Sequence, residues 1–159
     1  MTFDTVRWHF YGGFVILGLL AFRLLWGVLG PAPIRFRNFL PTPKRVLRYL
    51  GGVGKREPSG APGHNPLGAL SVYAILLVVA AQGVSGLFIE ADDFFEAAPL
   101  NGYVSAHVAS FMSSWHHVLP LVILILVVLH VVAVLFYLLW KRENLIGPMF
   151  HGWKWVRRK

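Results

Sequence analysis

The 159-residue sequence contains no cysteine. That absence excludes disulfides, iron–sulfur ligation by thiolates, and covalent haem attachment through a C-x-x-C-H motif. Acidic residues are also scarce, seven against fifteen Lys and Arg. None of the seven falls within the long apolar runs, so no carboxylate or thiolate is available there to complete a conventional metal site. Charged residues make up 14% of the chain and hydrophobic ones 56%, a balance too apolar for an ordinary soluble domain. The formal charge of +8 does not point to nucleic acid. The basic residues flank the apolar runs, where lipid headgroups and positive-inside placement account for them.

Three apolar runs have the length of membrane-spanning helices, about 20 residues at ~1.5 Å rise each. They cover residues 8–30, 66–89 and 115–140. The first is a full span without a small-residue cleavage site at its end, so no cleavable signal is expected. The expected architecture is a single all-α integral membrane domain over 1–159. Its three spans form part of a helical bundle, with a short interfacial helix in the first connection. That helix should start at Thr42-Pro43, with Val46, Leu47 and Leu50 on one side and Lys44, Arg45 and Arg48 towards the other. Residues 51–63, rich in Gly and Pro, predict a mobile loop. A short helix is predicted over about 102–113.

Charge sets the expected orientation. The connection 31–65 carries Arg35, Arg37, Lys44, Arg45, Arg48, Lys55 and Arg56 against Glu57. The segment 141–159 carries six Lys and Arg against Glu143, whereas 90–114 holds four acids and neither Lys nor Arg. By the positive-inside rule the connection and the tail are cytoplasmic, and the N-terminus and the loop 90–114 are periplasmic.

A side chain that ionises near neutral pH within a span marks a functional site by default, and the third run contains only three of these, His116, His117 and His130. His116 and His130 are fourteen residues apart; at ~100° per residue they return to within about 40° of one face, ~21 Å apart along the axis. Such a helix can offer an axial ligand to each of two haems. His9 opens the first run, and with parallel first and third spans it lies at the depth of His116. Two neutral imidazoles on facing helices can clamp one iron. Arg23, fourteen residues after His9, falls at the depth of His130, where it can pair with a haem propionate or snorkel to headgroups. Plainer readings stand beside these. His9, His116 and His117 also suit interface anchors beside Trp8, Tyr11 and Trp115, and His130 a hydrogen bond to another helix. His107 and His151 are expected in loop and tail, touching solvent or headgroups. Asn65 can cap the second span with Pro66 at its first position, and His64 can meet a propionate or exchange protons with a quinone.

Several stretches resemble the bacterial cytochrome b561 and nickel-hydrogenase b-type cytochrome superfamily. They are HFYGGF at 9–14, FRLLWGVLGP at 22–31, GHNPLGALS at 63–71, GLFIEADD at 86–93, PLNGYVS at 99–105, the His116/His130 pair and ENLIGPMFHG at 143–152. The resemblance implies a quinone-linked electron carrier of the bacterial inner membrane, with one or two non-covalent haem b groups. It implies His9 and His116 as ligands of an outer haem and His130 as one ligand of an inner haem. The first run is similar to the family's second helix; the R-x-x-H-W helix that precedes it in the family has no counterpart. Another membrane subunit or a second copy would then complete the inner site. The expected partner is a periplasmic cytochrome c, or a dehydrogenase or hydrogenase subunit. Two further functions compete with quinone-to-periplasm electron transfer: a haem-bearing anchor within a larger oxidoreductase, and a haem-free protein handling a metal ion or protons through its histidines.

Overall fold

In the computed structural model, which describes residues 3–59, 64–90 and 98–151, every regular element is helical. The helices are α1 (Phe3–Leu29), α2 (Pro43–Leu50), α3 (Pro66–Gly86), α4 (Ala106–Leu139) and α5 (Ile146–His151). Within these, Val6–Leu29, Pro66–Gly86 and Ala106–Leu139 are long and apolar enough to cross a membrane. Their surfaces show which solvent they suit. Trp8, Leu19, Leu77, Leu121 and Leu139 are each at least 61% exposed, which water would penalise and acyl chains accept.

The helix ends depart from the apolar runs for local reasons. α1 starts at Phe3, upstream of the run. α3 stops at Gly86, where Leu87 and Phe88 donate to the carbonyls three residues back, Val84 and Ser85. The short helix predicted over 102–113 is instead a single 3-10 turn, Asn101–Tyr103, followed by α4 itself. Ser105 begins α4: its carbonyl accepts from Ala109 N–H and its hydroxyl from Val108 N–H. No breaker lies between that cap and the apolar run, so the helix continues unbroken and places His107 in its first turns rather than in a loop. Pro120 lies inside α4; lacking an N–H, it leaves the carbonyl of His116, four residues back, without its helical donor.

The chain divides into two units. Unit 1 comprises Met1–Leu24 and Ile75–Leu124; unit 2 comprises Leu25–Ala74 and Ile125–Lys159. Unit 1 buries Leu20, Ser85, Ala98, Ala109 and Leu119. Its connection is tied back by Leu100 N–H to the carbonyl of Leu87 and by the Asn101 side chain to that of Phe88. The acids Asp92, Asp93 and Glu96 lie outside the described residues.

Unit 2 is held by aromatic and polar contacts. Phe36, Phe39 and Tyr73 pack with ring centres 5.5–6.0 Å apart, and the Tyr73 hydroxyl donates to the carbonyl of Phe36. The Phe36 ring lies on Gly27, where a Cβ would overlap it, so glycine is required at that crossing. Asn65 caps α3 as predicted, its side chain accepting from Gly68 N–H at 2.8 Å. Thr42 does not cap α2 through its side chain; only its carbonyl takes part, accepting from Arg45 and Val46.

The predicted mobile loop needs correction over residues 51–59; residues 60–63 lie outside the described residues. The segment is bound to the end of α4 by side chains that read in sequence as cytoplasmic charges. Lys141, 3% exposed, donates to the carbonyls of Lys55 and Glu57 at 3.0 and 3.2 Å. Glu143, 6% exposed, accepts from the backbone and the hydroxyl of Ser59, both at 2.7 Å. Trp140 donates to the carbonyl of Gly54, and Arg56 stacks 5.2 Å from the Trp140 ring. Arg142 takes a left-handed conformation (φ 53°) that turns the chain so that Glu143 N–H returns to the carbonyl of Tyr137.

Two outcomes follow from this arrangement. Lys141→Met removes the donor to the carbonyls of two exposed residues, at about 0.5–1.5 kcal/mol per lost hydrogen bond. It should lower the thermal midpoint in detergent and expose 51–59 to protease, while Arg142→Gln should do neither. Tyr49 and Tyr137 share a hydroxyl–hydroxyl bond of 2.7 Å. Burial pushes the Tyr49 phenol well above its ordinary value near 10, and the Tyr137 hydroxyl adds to the shift. A raised pKa favours the neutral phenol in the fold, so its contribution is complete below about pH 10 and declines as pH rises beyond that. Tyr49→Phe should therefore flatten the alkaline fall in thermal midpoint above about pH 10, and tyrosinate absorbance should show one fewer phenol ionising only on unfolding.

Candidate functional site

Within unit 1 the structure brings His9 and His116 together. Their ring centres are 6.0 Å apart and their planes 85° from parallel. A metal–imidazole bond is ~2 Å, so two imidazoles on opposite sides of one metal hold their ring centres on the order of 6 Å apart. The pair has the spacing that shared ligation needs.

α3 orients the His116 ring. Nδ1 of His116 lies 3.0 Å from the Gln82 carbonyl and 3.2 Å from the Ser85 hydroxyl, which itself donates to that carbonyl at 3.0 Å. A carbonyl can only accept, so the imidazole proton is assigned to Nδ1 and Nε2 keeps its lone pair. A ligating histidine commonly has this form, with one nitrogen donating to backbone and the other directed to the metal. The Gln82 carboxamide nitrogen is 3.2 Å from Nε2, donating to that lone pair. Its oxygen, Oε1, is buried and without a hydrogen-bond partner among the described residues. Gly86 completes the cradle: a Cβ there would come 2.8 Å from Cε1 and 3.2 Å from Nδ1 of His116.

The other candidates are placed differently. His117 is exposed; its ring turns back along its own helix, Nδ1 2.7 Å from the Ser113 carbonyl. In unit 2, His130 is exposed with Nδ1 3.3 Å from the Ser71 hydroxyl on α3, the interhelical hydrogen bond that was its plainer reading. His64 packs on Phe39 with ring centres 4.8 Å apart. Arg23 is half-buried on α1. His151 closes α5.

Sequence reasoning missed Gln82, Ser85 and Ser71. Each is a polar residue within an otherwise apolar run, and Gln82 is the single carboxamide in α3. That isolation is a signal, because a carboxamide in hydrocarbon requires a partner.

Helices long enough to span a membrane, two of which bring their imidazoles to 6.0 Å, define an all-α membrane protein with histidines spaced as a shared ligand pair would be. The sequence matches the family model for prokaryotic cytochrome b561 over residues 1–152. The chain belongs to that family, whose members are haem b membrane electron-transfer proteins. A similar curated protein is a probable Ni/Fe-hydrogenase B-type cytochrome subunit of Azotobacter vinelandii, 26% identical over 162 residues. The match covers 92% of this chain and 66% of that relative's length. No solved structure matches.

Proposed function

We propose that the chain carries haem b between His9 and His116 and passes electrons between the quinone pool of the bacterial inner membrane and a periplasmic redox partner. The observation that carries the reading is the 6.0 Å separation of the two rings, with the His116 proton held on Nδ1. Three features of the chain fit the group. The Gln82 carboxamide, whose Oε1 has no partner among the described residues, is the group that has to leave Nε2 for His116 to ligate. Gly86 leaves room for the ring that a ligating His116 requires. Among the described residues no three His, Cys, Asp or Glu side chains come together as a metal site. A two-donor set suits a macrocycle that already brings its own equatorial nitrogens.

When bound, haem b supplies a one-electron iron couple. The protein's part is to hold the two imidazoles at their separation, keep His116 in one tautomer, and surround them with apolar helix faces that exclude water. His130 is proposed as a ligand of an inner haem, with His64 towards a propionate; Arg23, in unit 1, is proposed to pair with a propionate or with headgroups. The basic connection and tail are proposed to be cytoplasmic, and the acidic loop to face the periplasm, where its charge would steer a cationic redox partner.

The second reading, a haem-bearing anchor of a larger complex, is favoured by the similarity to a subunit of a hydrogenase. The purified chain should show a reduced-minus-oxidised spectrum of bis-histidine b type. A spectrum without those bands would overturn both readings. Turnover of a quinol analogue by the chain alone would favour the first; a haem that a quinol cannot reduce would favour the second.

A further inference from the structure

Unit 2 contains a cavity of about 340 Å³ that neither the histidines nor the helix packing uses. Arg45, Arg48, Tyr49, Lys55, Glu57 and Lys141 are among its lining residues. Four of these six are cations and one is an acid. The volume falls within the ~300–1,000 Å³ typical of small-molecule sites.

The cations divide into two groups. Lys141 is committed to the carbonyls of Lys55 and Glu57, and so shapes one wall. Arg45, Arg48 and Lys55 are exposed, and no hydrogen bond or ion pair occupies their charged ends among the described residues. Arg45 and Arg48 are three apart on α2, hence on one face of that helix. Tyr49 is held by Tyr137 beside them. Leu47 and Leu50 of the same short helix remain 68% and 45% exposed. Those leucines lie on the other side of α2 from Arg45 and Arg48, outside the cavity lining, so the helix can rest on lipid through one side while its guanidiniums stay open on the other. Guanidiniums recognise phosphate oxygens with paired N–H donors, which a carboxylate or chloride matches less fully.

We propose that this cavity binds a phosphate-class oxyanion, the phosphodiester headgroup of an anionic phospholipid or free phosphate, through Arg45, Arg48 and Lys55. The site is separate from the histidine pair and holds whether or not that pair carries haem. Its ligand would bridge α2 to the loop 51–59, so binding should stabilise the segment that α4 clamps.

The test uses the full chain, delipidated in neutral detergent, with thermal unfolding as readout. One arm adds phosphatidylglycerol and another phosphatidylcholine; a third adds sodium phosphate against sodium chloride at equal ionic strength. Phosphatidylglycerol should raise the midpoint by several degrees and phosphatidylcholine should not. Arg45→Gln/Arg48→Gln should lose most of that gain, while Arg37→Gln, exposed and outside the cavity, should keep it. A gain with sodium phosphate equal to that with phosphatidylglycerol would assign the site to the free ion; a gain with the lipid alone would assign it to the headgroup. An equal gain in wild type and the double variant, or no gain from either anion, would overturn the proposal.

Discussion

His116→Ala should remove the b-type absorption that depends on the His9–His116 pair, while His117→Ala leaves it close to wild type. His116 is held by the Gln82 carbonyl and faces His9 at 6.0 Å. His117 is spent on its own helix, at the Ser113 carbonyl. Loss of an outer partner of a metal-bound histidine costs ~10–100-fold in affinity, and loss of the ligand itself should exceed that. Haem per polypeptide, measured by pyridine haemochrome, decides the outcome, with circular dichroism confirming that the helices persist. Dependence on His117 instead would move the ligand by one residue and refute the site. Any haem bound through His130 should survive His116→Ala, because His130 belongs to unit 2 with Ser71 as its partner.

Gly86→Ala should produce nearly as large a loss without touching a ligand. The added methyl would lie 2.8 Å from Cε1 of His116, and an imidazole ring offers no flexible end to yield. The ring must shift, which breaks the Nδ1 contact with the Gln82 carbonyl; a loss on the order of 10–100-fold in haem affinity is expected. Alanine is the better helix former by about 1 kcal/mol, so weakened helicity cannot be the cause. Gly83→Ala is the control. Its methyl would meet Leu17 Cδ2 at 2.6 Å, the end of a side chain that can rotate away. Equal loss from both variants would mean that general crowding of α3, rather than the position of His116, controls binding.

The three spans and the His9–His116 meeting were legible because both depend on length and period. An uninterrupted apolar run admits few structures in lipid, and parallel first and third spans align their first turns. What failed to appear depends on direction. Composition registers Lys141 and Glu143 as one positive and one negative charge near a membrane face. It cannot tell that both turn inward to hold backbone groups of residues 55–59. Gln82 and Ser85 were lost to averaging, since two polar residues barely alter the mean of a 21-residue apolar helix. The start of α4 was misjudged because the apolar run begins only at Trp115, so 102–113 read as a separate short helix. Yet the Ser114 hydroxyl bonds the Ser110 carbonyl at 3.0 Å and stays within the helix.

The clamp at the end of α4 also bears on how the polypeptide matures. Lys141 and Glu143 emerge from the ribosome some eighty residues after the carbonyls and amide they satisfy. Until the last crossing has been threaded, the stretch 51–59 must rely on water for those bonds. A translation intermediate stalled before residue 141 should therefore present that stretch to added protease, and release of the finished chain should close the window.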